Sequence, residues 1–127
     1  MRQNVVAALL IVLVACSADS AEQRLRNYFA IPAGVPSDTL ALGAAILHEL
    51  KAGTAERDVA SRLKAQGVGS DSLSAYYPPT STNTGLVRVE YDPHNPNVVA
   101  KSYAVRLVFD STRKLSTVRV TQWLTGP

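Results

Sequence analysis

The sequence predicts an α+β domain over residues 37–127, a helical hairpin packed on a three-stranded antiparallel meander in the order ααβββ. Three observations predict it. Two consecutive segments place apolar residues at helical spacing and are joined by a short corner containing glycine. Three later segments alternate apolar and polar residues with a period of two. Between them, Pro93 and Pro96 force a loop, because a proline cannot donate to a strand ladder.

The first helix opens at Pro36-Ser37-Asp38, where Asp38 is an N-cap residue before 39–51. Leu40, Ala44, Leu47 and Leu50, with Ile46 beside them, are the expected inner stripe. Ala52-Gly53 ends this helix and Thr54 is the expected cap of the next. Glu56 and Asp58 stand in that second helix's first turn, where the helix dipole favours negative charge. Val59, Ala60 and Leu63 line its inner face, and Gly67 follows its end. Residues 68–85 read as a long polar loop. Val87, Val89 and Tyr91 then mark the first strand, Tyr103 to Phe109 the second, and Val118 with Val120 the third. A four-residue turn at 111–114 sets Val105 opposite Val120 and Leu107 opposite Val118 on the inner side, with Arg106 opposite Arg119 and Ser102 opposite Trp123 outside.

The first 15 residues read as an export signal. Arg2 supplies positive charge, and Val5 to Ala15 is an unbroken apolar run of eleven residues, short of the ~20 that span a bilayer. The run ends at Leu13-Val14-Ala15-Cys16, which resembles the bacterial lipobox. Cleavage between Ala15 and Cys16 would leave Cys16 as the first residue of the mature chain. Its sulfur is the nucleophile that takes up a diacylglyceryl group, and an N-acyl chain (palmitate among the candidates) is expected on its amine. No other cofactor is expected. Cys16 is the sole cysteine, so an exported domain has no disulfide and relies on its core. Loss of the signal leaves 112 of 127 residues and a formal charge of +2, too mild a bias for a nucleic-acid partner. Residues 16–36 read as a lipid-anchored tether. Within it, Leu25 and Phe29 stand four apart, as on one turn of a short helix lying on the domain; a peptide that docks on a partner is the alternative.

Catalytic chemistry finds little support. His48-Glu49 begins like a zinc-protease helix but lacks the second histidine at i+4, and His94 lies among Asp92 and Asn95 in a surface turn. No phosphate-cradling glycine loop and no nucleophile elbow occur. The expectation is a protein that is no enzyme and has no metal or small-molecule substrate. The candidate partner-binding residues are Arg88, Arg106, Arg119 and Trp123 on the outer face of the sheet, residue types that interfaces enrich. A solvated face with Glu90 set between the arginines is the other reading.

A lipobox, a tether, a helical hairpin with a Gly-Thr corner and three strands together resemble the SmpA/OmlA family of small outer-membrane lipoproteins, the BamE-like proteins. Gly53, Val59 and Leu63 match that family's spacing around its second helix, and Phe109-Asp110 followed by Leu115 matches its last hairpin. Arg113 stands where the family has a glycine, so a left-handed residue there would carry strain. The resemblance implies a non-enzymatic protein-binding adaptor, anchored in the outer membrane and facing the periplasm, whose partners are envelope proteins such as the barrel-assembly machinery. Ser17 after Cys16 looks like the pattern for transfer to the outer membrane. A similar ααβ plan in β-lactamase-inhibitor-type domains implies an alternative, an inhibitor or immunity-type binder of a secreted enzyme. Tyr76-Tyr77 and the loop 92–97 would be its reach.

Overall fold

A computed structural model describes residues 20–94 and 100–125. Cys16, the signal boundary at Ala15 and the tether residues 16–19 lie outside the described residues, as do residues 95–97 of the loop. The class is α+β, as expected, with more elements than expected: three helices and one four-stranded antiparallel sheet. They are α1 (Ala21–Phe29), α2 (Thr39–Leu50), α3 (Glu56–Ala65), β1 (Ser74–Tyr77), β2 (Thr84–Val89), β3 (Ala100–Phe109) and β4 (Leu115–Thr125). The strands run in sequence order across the sheet.

Helix α1 occupies what was expected to be tether. Ser20 caps it by accepting from the Gln23 amide at 3.1 Å, and Ala30 closes it in a left-handed conformation. Leu25 and Phe29 are not merely laid on the domain; both are buried in the core, followed by Ile31. The helix is also stitched down by polar groups. Arg24 donates to the carbonyls of Leu73 and Glu90, and Arg26 donates to those of Pro32 and Val35. Glu22 accepts from the Tyr103 hydroxyl at 3.3 Å and from Ser37 Oγ at 2.9 Å.

Helix α2 begins where the sequence places it, with the Asp38 carboxylate accepting from the Ala41 amide at 2.8 Å. Its inner face differs from the expected stripe. Leu42, Gly43, Ile46 and Leu50 are buried, whereas Leu40 and Ala44 are exposed. The helix is apolar almost all round, and Gly43 decides its rotation. A Cβ there would lie 3.4 Å from the Val118 carbonyl, so the glycine face is the one that approaches β4 closely. Thr54 does not cap α3. Its hydroxyl turns back to the Leu50 carbonyl at 2.7 Å, and Ala55 precedes α3 without a side-chain cap.

The long polar loop contains β1, which pairs Ser74 to Val89 and Tyr77 to Leu86. Pairing of β3 with β4 follows the expected register: Val105 to Val120, Leu107 to Val118, Arg106 to Arg119 and Ser102 to Trp123. The register slips after Val108, bringing Phe109 opposite Leu115, so the turn is one residue longer than expected. Arg113 sits in it at φ 60. Asp110 holds that turn closed, its Oδ1 accepting from the amides of Thr112 and Lys114.

The tip of this hairpin locks onto the α2–α3 corner. Gly53 donates to the Leu115 carbonyl at 2.7 Å, Leu115 donates to Thr54, and Glu56 donates to Arg113. Ala55 and Lys114 form an isolated bridge, and the Arg113 guanidinium meets Glu56 at 2.9 Å. The core lies between the helices and one sheet face, centred on Val87, Val89, Tyr103, Val105 and Leu107. No described element covers the opposite face. No helix among the described residues is long and apolar enough to cross a membrane.

Candidate functional site

Strand alternation decides which side chains reach the open face. Leu86 and Arg88 of β2 share it with Arg106 of β3 and with Arg119 and Trp123 of β4. The four residues proposed from the sequence as partner-binding are therefore brought to one surface. Two groupings form within it.

The first is Arg88 with Trp123. Arg88 pairs with Ala104, and Ala104 with Thr121, so a small residue separates β2 from β4 at this level. Its guanidinium carbon reaches across to stand 5.8 Å from the Trp123 ring centroid, within cation–π range. Ala104 and Ser102, between the two strands, are buried although they point to the open side. Ser102 Oγ accepts from the Tyr91 amide at 3.1 Å.

The second is Arg106 beside Arg119. Glu90 does not stand between them. It pairs with Arg88 at 3.2 Å, two residues along the same strand and face. Arg106 is opposite Leu86, four residues from Glu90 along β2, roughly 13 Å away at strand rise. Arg106 donates instead to Thr121 Oγ1 at 3.4 Å. Among the described residues neither Arg106 nor Arg119 has a carboxylate partner. Directly opposed like charges destabilise a sheet by up to ~1 kcal/mol.

A cleft of about 430 Å³ lies on the helix side of the sheet, lined by Glu56, Arg57, Tyr76, Pro78 and Arg113 among others. The Tyr76 hydroxyl is buried beside it without a hydrogen-bond partner. Burial, and secondarily the Glu56 charge, push the Tyr76 phenol above its ordinary value. Gly85 makes room for this ring, since a Cβ there would come within 3.2 Å of the hydroxyl. Sequence reasoning missed both the cleft and Gly85, and the only signal was a glycine inside a strand pattern. The cleft's charges already match internally through the Arg113–Glu56 pair.

Tyr76 and Tyr77, expected to reach out together, are split by strand alternation: Tyr76 turns inward and Tyr77 is exposed on the open side. His48 and His94 are exposed, and the His94 amide donates to Asp92 Oδ1 in a turn. Among the described residues no three potential metal ligands come together. Comparisons with protein-family models, with characterised proteins and with solved structures return no match for this chain.

Proposed function

We propose that this chain is a lipid-anchored envelope lipoprotein, a non-enzymatic adaptor that binds an acidic partner protein through the open face of its sheet. The observation that carries this reading is the Arg106–Arg119 pair, opposed across two strands with no carboxylate partner among the described residues. A carboxylate on a partner removes the repulsion and gains two charge-assisted hydrogen-bond donors. Exposed Tyr77, paired with Leu86 on the same face, supplies the aromatic area that interface centres use.

The address rests on Leu13-Val14-Ala15-Cys16 followed by Ser17. Acylated at Cys16, the mature protein is held at the outer membrane facing the periplasm, since two or more acyl chains give stable anchoring. The resemblance to the SmpA/OmlA family lies in the α2–α3 hairpin and the β2–β3–β4 meander, with α1 and β1 added to that plan. It favours envelope proteins of the barrel-assembly machinery as the partners.

The test is a crosslinking pull-down from membranes with wild type, Cys16→Ala and Arg106→Glu/Arg119→Glu. Wild type is expected to recover envelope components. The double charge reversal is expected to weaken recovery about tenfold or more, the equivalent of ~1.4 kcal/mol. Unchanged recovery by the charge-reversed protein makes the arginines a solvated surface. Equal recovery of one soluble hydrolase by wild type and Cys16→Ala replaces the adaptor with an inhibitor.

A further inference from the structure

Three of the large apolar side chains that the domain exposes gather at one end of it. Trp123 and Leu124 follow each other near the end of β4, 37% and 63% exposed, and Leu40 in the first turn of α2 is 86% exposed. Helix α2 runs antiparallel to β4: Gly43 packs at Val118 and Val120, while Gly53, past the helix end, bonds Leu115. Leu40 therefore lies one turn beyond Gly43 toward the Trp123–Leu124 end.

The start of α1 lies at the same end. Its Glu22 carboxylate is held by the Tyr103 hydroxyl and by Ser37, just before α2. Tyr103 pairs with Gln122, the residue before Trp123. Only three residues separate Ser20, the cap of α1, from Cys16. That chain reaches about 13 Å at most. An acylated Cys16 sits at the headgroup layer, so this end of the domain is confined to within that reach of the lipid.

The charges there suit such a surface. Lys101 is exposed opposite Leu124, and Arg88 lies over Trp123. Among the described carboxylates at this end, Glu90 is paired with Arg88 and Glu22 with Arg26 and Ser37, while Asp38 and Asp92 accept from the Ala41 and His94 amides. Arg88 over Trp123 and Lys101 beside Leu124 set a cation next to each of these side chains, a combination favoured at a membrane–water interface.

We propose that the end of the domain bearing Leu40, Trp123 and Leu124 rests in the headgroup layer of the bilayer that anchors Cys16, with Lys101 toward the lipid phosphates. This rests on the reading of Cys16 as the acylated residue. It leaves Arg106 and Arg119 free for the protein partner, since Arg119 lies four residues up β4 from Trp123.

Trp123 is the only tryptophan of the chain, so its emission reads this end directly. Mature protein purified from membranes is reconstituted into vesicles of phosphatidylcholine with a minority of phosphatidylglycerol, with and without bromine on the acyl chains near the headgroup. Flotation with the vesicles, together with a blue shift and loss of Trp123 emission in brominated vesicles, is the expected result. Flotation with emission indifferent to bromine overturns the docked end while the anchor stands. Failure to float overturns both. Emission indifferent to bromine but dependent on protein density marks a second copy as the occupant and also overturns the bilayer. Leu40→Ser with Leu124→Ser is expected to float, keep its far-ultraviolet circular dichroism and lose quenching; undiminished quenching overturns the assignment of these residues to one contact.

Discussion

Arg113 holds a backbone conformation that an arginine adopts only at a cost, φ 60, while its side chain meets Glu56. Left-handed geometry costs roughly 1–2 kcal/mol for a residue with a Cβ. The Arg113–Glu56 pair, its arginine largely exposed, returns about 0–1 kcal/mol. Arg113→Gly is therefore expected to leave stability unchanged or raise it by up to ~1 kcal/mol, read from the urea midpoint. A clear loss would make the ion pair the fastener of the hairpin tip. Asp110 enforces that geometry, and its carboxyl is held below its ordinary value by the Thr112 hydroxyl, the Lys114 and Thr112 amides and the Lys114 charge. A depressed carboxyl contributes stability above its unfolded value, near 3.8, and loses it as pH falls through the folded value. Asp110→Asn, compared with wild type by urea unfolding from neutrality into acid, is expected to differ most at neutral pH and to converge with it below about pH 4. Parallel curves would assign the acid loss to other carboxylates. Tyr103 marks the alkaline side: burial first, then the Glu22 charge and hydrogen bond, push its phenol up from 10 to about 12. Its contribution is full below pH 10 and is lost as pH rises through 12. Tyr103→Phe is expected to remove that alkaline decline.

Among the elements, α1 separates what the sequence discloses from what only packing decides. Leu25 and Phe29, four apart, disclose a helical turn, but two apolar residues in a polar stretch do not disclose that they enter the core. Phe29 is 1% exposed, and Phe29→Ala is expected to cost about 3–5 kcal/mol, a large share of the ~5–15 kcal/mol typical of a domain. A cost under ~1 kcal/mol, the scale of an exposed substitution, would show α1 to be peripheral. Strand β1 escapes notice because its four residues, Ser74–Tyr77, are too few to show alternation, and its pairing comes from β2. In α2 the expected stripe through Leu40 and Ala44 fails because the helix is apolar almost all round, and the face that meets β4 is the one where Gly43 allows close approach. Gly43→Ala fits at ordinary contact distance and is expected to be neutral or to gain up to ~1 kcal/mol from helix propensity. Gly43→Leu is expected to lose ~1–3 kcal/mol by pushing α2 from β4. Equal stability of the two would mean that the approach is not tight. The β3–β4 register was legible because both strands alternate over long runs. That alternation also placed Arg88, Arg106, Arg119 and Trp123 on one face. Glu90 is misplaced because alternation gives the face but not the register of β2 against β3, which sets Arg106 opposite Leu86.

For the molecule as a whole, the buried α1 leaves only three residues of sequence between the domain and Cys16, the proposed anchor. The sequence alone suggested a tether of twenty residues and a reach of roughly 65 Å. Inserting about ten Gly/Ser residues between Asp19 and Ser20 adds a root-mean-square reach of roughly 17 Å. The insertion is expected to preserve flotation and thermal stability while Trp123 loses contact with brominated lipid. Retained quenching would show that the domain's own affinity, and not the short connection, holds it at the surface.

The lock between the hairpin tip and the α2–α3 corner carries a consequence for the order of assembly. Gly53, Thr54 and Glu56 wait on Arg113 and Leu115, residues made some sixty positions later. Until those arrive, the Gly53 and Glu56 amides and the Thr54 carbonyl have only water, and the start of α3 has no side-chain cap. A nascent chain thus completes this corner late: the start of α3 gains these bonds only once the β3–β4 turn has been made. Loss of β4 would unfasten the α2–α3 corner far upstream as well as narrow the sheet.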